Sequence, residues 1–112
     1  IDYINAHGTA TENNDASESV AIRRVFGEKV PSISSTKAFT GHTLAAAAAI
    51  EAVYSVLALQ NNLVFPNLNF STPIPETTII PETELIEKKL NHVLSNSFGF
   101  GGNCSTIIFS KA

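Results

Sequence analysis

The chain has a single cysteine, Cys104, which excludes an internal disulfide and a thiolate zinc cage. Charge is scarce too: only 15% of the 112 residues are charged, so part of the surface is expected to lie against another protein surface. The formal net charge of −3 leaves no basic excess with which to grip nucleic acid. Ile1 to Asn5 carries no basic leader, so no signal peptide is expected and a reducing cytoplasm is the default location. Residues 43–59 alone approach membrane length, and Glu51 interrupts them, so no membrane span is expected. There is no HExxH zinc pattern, no GxSxG nucleophile elbow and neither common glycine-rich phosphate fingerprint. What remains is one domain, 44% hydrophobic and long enough for a core.

The residues present alternate between strand and helix patterns. Ile1 to Asn5 alternates apolar and polar side chains, predicting a strand that gives way to a loop at Ala6-His7-Gly8. In α/β folds the loops after carboxyl strand ends collect binding groups, which singles out His7. Asp15-Ala16-Ser17-Glu18 reads as a capping box, followed by a helix with the stripe Ala16, Val20, Ile22, Val25 and Phe26, closed by Gly27. Pro31 to Ser35 predicts a second strand that delivers Thr36 and Lys37 to a loop. The order strand, helix, strand, helix implies a parallel βαβ unit with a right-handed crossover, so the His7 and His42 loops leave the same sheet edge. Asn61 to Leu90 carries Pro66, Pro73, Pro75 and Pro81 and predicts an irregular connection with short strands at Leu68 to Phe70 and Thr78 to Ile80. Its Glu76, Glu82, Glu84 and Glu87 read as a solvated face. His92 to Phe98 and Thr106 to Ser110 read as antiparallel strands joined by Gly99-Phe100-Gly101-Gly102.

The most informative stretch is Thr36 to Ala52, where a polar loop carrying Lys37 and His42 runs into an alanine-rich helix predicted from Thr43 to Gln60. Gly41 lets the backbone turn sharply before that helix. An imidazole at a helix start faces unsatisfied N–H groups, which suits a neutral His42 that donates one hydrogen bond toward developing negative charge. One helix face, Leu44, Ala47, Ala48, Glu51 and Ser55, is mostly small; the other, Ile50, Val53, Tyr54 and Leu57, is bulky, so the helix reads as central. Glu51 lies nine positions after His42, half a turn out of phase and about 13 Å along the axis at 3.6 residues per turn. Lys37 is therefore the better partner for a buried Glu51.

Other features admit plain readings. The glycines around Phe100 suit either a backbone oxyanion donor beside an aromatic ring or a simple hairpin turn. His7, His42 and Asp15 binding zinc in a metal hydrolase is a remote alternative. His92 reads as a surface or pairing residue, and Cys104 as a buried small hydrophobe in a strand, its thiol unactivated.

Taken together, HGTAT at 7–11, STKAFTGHTLAAA at 35–47 and NSFGFGG at 96–102 resemble the three C-terminal signatures of β-ketoacyl-acyl carrier protein synthases of the ketosynthase I/II type. The resemblance runs in order over essentially the entire chain. It implies an α/β fold, the C-terminal half of a thiolase-like duplication with a mixed β-sheet covered by helices, and one ketosynthase domain over residues 1–112. The implied reaction is a decarboxylative Claisen condensation of an acyl thioester with malonyl-acyl carrier protein, in fatty acid or polyketide biosynthesis. His7 and His42 match the catalytic histidines that stabilise the enolate, Lys37 the lysine that supports them, and Glu51 its acidic companion. Phe100 matches a gating phenylalanine of the oxyanion hole; Phe98 and Phe100, with Thr9 and Thr11, match groups that bind the substrate and its phosphopantetheine arm. No cofactor is required, although a monovalent cation lies in some members near groups matching Asn5, Glu51, Ser95 and Asn96. Implied partners are acyl carrier protein, an N-terminal ketosynthase half and, in the full enzyme, a second copy in a dimer.

Departures accompany the matches. The family's nucleophilic cysteine belongs to an N-terminal half this sequence does not contain, so the chain by itself is expected to be inactive. Asn103 and Cys104 stand where Thr then Asn are usual, and Ala45 and Ala48 where glycine is common. A different class of function, a noncatalytic partner that binds carrier protein or an acyl chain, is the alternative; intact His7, His42 and Lys37 argue against it, because a binding module has no need of enolate stabilisers.

Overall fold

In the computed structural model, which describes residues 1–112, a four-stranded mixed sheet carries one long helix on each face. The order of elements is β1 (Tyr3–Asn5), α1 (Glu12–Phe26), β2 (Ser32–Ser34), a single turn α2 (Lys37–Thr40), a 3-10 turn (Leu44–Ala46), α3 (Ala47–Asn61), β3 (Leu63–Val64), β4 (Ile86–Glu87), β5 (His92–Phe98) and β6 (Cys104–Ser110). The sheet runs β2-β1-β5-β6, with β1 parallel to both neighbours and β6 antiparallel to β5. Alternation along β1 sends Tyr3 to one face and Ile4 to the other. Tyr3 joins Ala58, Leu59, Val64, Leu90 and Val93 under α3; Ile4 joins Ala6, Ile22 and Ile33 under α1. The parallel β1-α1-β2 unit therefore delivers the loops after β1 and β2 to one end of the sheet, as the sequence pattern predicts.

Several local expectations are corrected. α1 begins at Glu12, with Thr11 as its cap residue, so Asp15 lies inside the first turn and no capping box forms. Its inward residues are Glu18 and Ile22, whereas Ala16 and Val20 are exposed and Val25 is 75% exposed. α3 starts at Ala47 after the 3-10 turn, and its small face, Ala47, Glu51, Ser55 and Ala58, packs inward. The bulky face looks outward, with Val53 and Leu57 exposed, so within this chain the helix is peripheral. The helical stretch Leu44–Asn61 is long and apolar enough by length and composition alone to cross a membrane, with mean hydropathy 1.4, and is not too short as read from the sequence. No strands form at 68–70 or 78–80; the connection pairs β3 with β4 instead. β6 begins at Cys104, two residues earlier than predicted, and its thiol is exposed rather than buried.

Candidate active site

Lys37 is the hub of the site. It opens α2 immediately beyond β2, and its ammonium is buried between the β1 loop and α3. Nζ donates to the His7 carbonyl at 2.6 Å, lies 3.2 Å from His7 Nδ1 and contacts Glu51 Oε1. Three protons thus meet three acceptors. Glu51 is 2% exposed; burial pushes its carboxyl above the ordinary range, against the opposing contact with Lys37. Its second oxygen, Oε2, is buried with no hydrogen-bond partner.

His7 follows β1 and is 5% exposed. Burial first, then the neighbouring charges of Lys37 and His42, pushes its imidazole down to about 4, so the ring is neutral at physiological pH. Because Nδ1 faces the Lys37 ammonium, the ring proton resides on Nε2. In the exposed His42 a different contact selects the tautomer: its Nδ1 accepts the Leu44 N–H at 3.2 Å, which places the ring proton on Nε2. Leu44 holds a left-handed φ of 52° at this turn, a conformation that costs an L-residue about 1–2 kcal/mol, so the turn under the His42 ring is strained. The two rings stand edge to face, 5.5 Å between centroids at 87°, and the Phe98 ring lies 5.4 Å from His7, tilted at 50°. Two neutral imidazoles, each with Nδ1 engaged, leave a pair of neighbouring N–H donors suited to one developing oxyanion.

Sequence reasoning treated Glu18 only as a capping residue, and the structure gives it another place. Its carboxylate, buried inside α1, accepts the N–H groups of His7 and Gly8, each at 2.9 Å, and the Asn96 side-chain amide at 3.0 Å. It therefore ties the His7 loop to both α1 and β5. The sequence signal was the same Asp15-to-Glu18 spacing, displaced because the helix starts three residues before Asp15. Asn5 bridges β1 to α3 through the Glu51 carbonyl at 3.3 Å and Ser55 Oγ at 3.4 Å.

The other expected site residues are placed as follows. Thr9 and Thr11 share a hydrogen bond of 3.0 Å at the loop surface. Phe100 is 93% exposed at the tip of the glycine loop, where Gly101 and Gly102 both take positive φ and the Gly99 N–H closes on the Asn103 carbonyl at 2.7 Å. Asn5 and Ser95 are register partners on adjacent strands. Both ends of the Asn96 side chain are engaged, by Glu18 and by Thr106, which departs from a free cation ligand. No cluster of three or more histidine, cysteine or acidic side chains suited to a metal ion forms, so His7, His42 and Asp15 do not assemble a zinc site. A cavity of about 510 Å³ opens beside Gly8, Thr9, Lys37 and His42, with Ile22, Ile33 and Ile79 among its apolar lining.

Comparison with known proteins places the chain in a family. Residues 1–71 match the family model described as beta-ketoacyl synthase, C-terminal domain. The chain is 48% identical to 3-oxoacyl-[acyl-carrier-protein] synthase 1 of Haemophilus influenzae and 46% identical to the enzyme of the same name from Escherichia coli K12, covering 99% of this chain and 28% of each relative. Among solved structures, a beta-ketoacyl synthase from Burkholderia phymatum superposes with TM-score 0.92 at 38% identity, over 100% of this chain and 28% of that one. A type II polyketide synthase acyl-carrier protein in complex with its ketosynthase bound to the hexaketide gives TM-score 0.93 at 37% identity, with the same coverage. The chain thus spans little more than a quarter of the length of the curated relatives it matches, and its fold is the C-terminal part of the thiolase-like ketosynthase architecture.

Proposed function

The chain belongs to the beta-ketoacyl synthase family, within its C-terminal domain, and from that membership we propose that it forms the enolate-stabilising part of a 3-oxoacyl-[acyl-carrier-protein] synthase. The observation that carries this reading is the pair of neutral imidazoles whose Nδ1 atoms are both engaged, His7 by Lys37 and His42 by the Leu44 N–H.

In this reading the thioester carbonyl oxygen of a malonyl group accepts the Nε2–H of both rings. The carboxylate carbon departs as carbon dioxide, and the electron pair of the broken C–C bond becomes the enolate, its charge on that oxygen. Preorganised donors stabilise such charge strongly; losing one donor typically costs on the order of 10²-fold to 10³-fold in rate. The enolate carbon then attacks an acyl thioester on a cysteine outside these 112 residues, and the thiolate leaves. Lys37 keeps His7 in the donor tautomer, Phe98 packs beside its ring, and the exposed Phe100 with its backbone N–H serves the acyl-transfer step. Thr9 and Thr11 hold the phosphopantetheine arm of acyl carrier protein.

A monovalent cation fits in part: Glu51 Oε2 is a buried oxygen without a partner, Asn5 donates to the Glu51 backbone carbonyl, and Ser95 is the register partner of Asn5, so Glu51 with Asn5 and Ser95 would hold the ion and gain its positive charge. The N-terminal half, supplying the cysteine, would cover the outward face of α3, where Val53 and Leu57 are exposed. Dimer formation and a cytoplasmic setting belong to the same proposal.

The test is carbon dioxide release from malonyl-acyl carrier protein by the complete polypeptide. His7→Ala and His42→Ala should each lose at least about a hundredfold while the melting temperature holds. Release at the wild-type rate by either variant would sink the reading.

A further inference from the structure

The dipeptide His7-Gly8 presents four backbone polar groups at the site, and each has a named partner. Glu18 takes both N–H groups at 2.9 Å, Lys37 takes the His7 carbonyl at 2.6 Å, and Ser35 Oγ donates to the Gly8 carbonyl at 3.2 Å. The same Ser35 oxygen accepts the Lys37 N–H at 3.3 Å. One hydroxyl therefore touches both the loop that carries His7 and the backbone of the residue that orients it. The fit is close: Gly8 has φ 48°, and a Cβ added there would lie 2.5 Å from Ser35 Cβ and 2.7 Å from its Oγ.

Ser35 is itself held from outside the site. Its N–H donates to Asn67 Oδ1 at 2.9 Å, on the irregular segment that crosses the β2 edge. That segment is fastened by the Asn67 N–H to the Glu82 carbonyl at 2.6 Å and by the Glu82 N–H to the Ile33 carbonyl at 2.9 Å. We propose that Ser35, braced by Asn67, is a positioning residue that latches the His7 loop to the Lys37 turn and so keeps the two imidazole donors in register. This rests on the enolate-stabilising reading above. A displacement of about 1 Å in a reacting group can cost on the order of 10²-fold in rate. The latch governs that displacement through the backbone of the His7 loop.

The test uses the complete polypeptide and compares wild type, Ser35→Ala, Asn67→Ala and His7→Ala in malonyl decarboxylation and, separately, in acyl transfer to the cysteine. Ser35→Ala should lower the decarboxylation kcat by about tenfold or more, leave KM within about twofold and leave acyl transfer unchanged. The groups around His7 are Lys37, His42, Glu18 and Glu51. As the ring drifts from the Lys37 ammonium, the acid limb of the decarboxylation profile should rise toward 6.5, the ordinary value for histidine. Loss of global stability alone would not move that limb well below the melting temperature. Asn67→Ala should shift it in the same direction by less, and it carries the test if Ser35→Ala does not fold. A folded variant with unchanged kcat and acid limb, beside an inactive His7→Ala, overturns the latch alone. A wild type that does not decarboxylate overturns the enolate reading, and the latch with it.

Discussion

At the scale of single residues, the site depends on which groups stay neutral and which stay paired. His7 titrates near 4 in the folded chain against an ordinary 6.5, so the unfolded chain takes up the proton first. Stability should therefore be flat above pH 6.5 with respect to this residue and fall as pH drops from 6.5 toward 4. Glu51, pushed upward by burial, contributes a slope of the opposite sign, so the His7 contribution is read as a difference. Urea midpoints of wild type and His7→Gln, measured from pH 4 to 8, should differ by an amount that changes only inside that window; parallel curves would contradict the buried neutral ring. The Lys37 and Glu51 pair yields a second expectation. Removing one member of a buried ion pair costs about 3–5 kcal/mol because the other charge is left uncompensated. Lys37→Met should show a loss of that order by denaturant unfolding, and Lys37→Met with Glu51→Gln should recover part of it. This pairing was legible in the sequence, since one long flexible cation enters the loop ahead of one acid on a small-residue helix face.

At the scale of elements, α1 is the case where local reading and tertiary placement part. Ala16, Val20 and Val25 have helical spacing, yet the inward positions are Glu18 and Ile22, because the loop after β1 leaves two N–H groups that only a carboxylate on that face satisfies. Leaving a buried donor unsatisfied costs about 1–3 kcal/mol. Glu18→Ala frees the His7 and Gly8 N–H groups together and should lower stability by at least that much, with faster amide hydrogen exchange confined at first to residues 7 and 8. Unchanged exchange at both amides would refute the clamp. Cys104 shows the same limit of local reading. Its strand was foreseeable, but β6 is the last strand in the sheet order, so its thiol is exposed.

At the scale of the whole molecule, exposed apolar side chains sit on several elements: Val25 on α1, Phe39 on α2, Val53 and Leu57 on α3, and Ile107 and Ile108 on β6. Exposed apolar surface, where it clusters, marks interaction sites or promotes association. The isolated 112 residues should self-associate in light scattering at concentrations where the complete polypeptide does not. Val53→Lys with Leu57→Lys should suppress that association, and persistence in the double variant would exclude α3 as the contact. The amino-acid sequence by itself determined the βαβ start, the closing antiparallel pair and the convergence of the His7 and His42 loops. Those follow from period-2 and helical patterning and from the handedness of parallel crossovers, which act within a few tens of residues. Only the tertiary structure decided which face of α3 turns inward, that Glu18 and Ser35 grip the His7 loop, and that both imidazoles keep the proton on Nε2. Most of these depend on hydrogen-bond partners 10 to 30 positions apart, Glu18 with Gly8, Lys37 with His7 and Ser35 with Gly8, and the His42 tautomer on the strained turn at Leu44, none of which a local periodicity encodes.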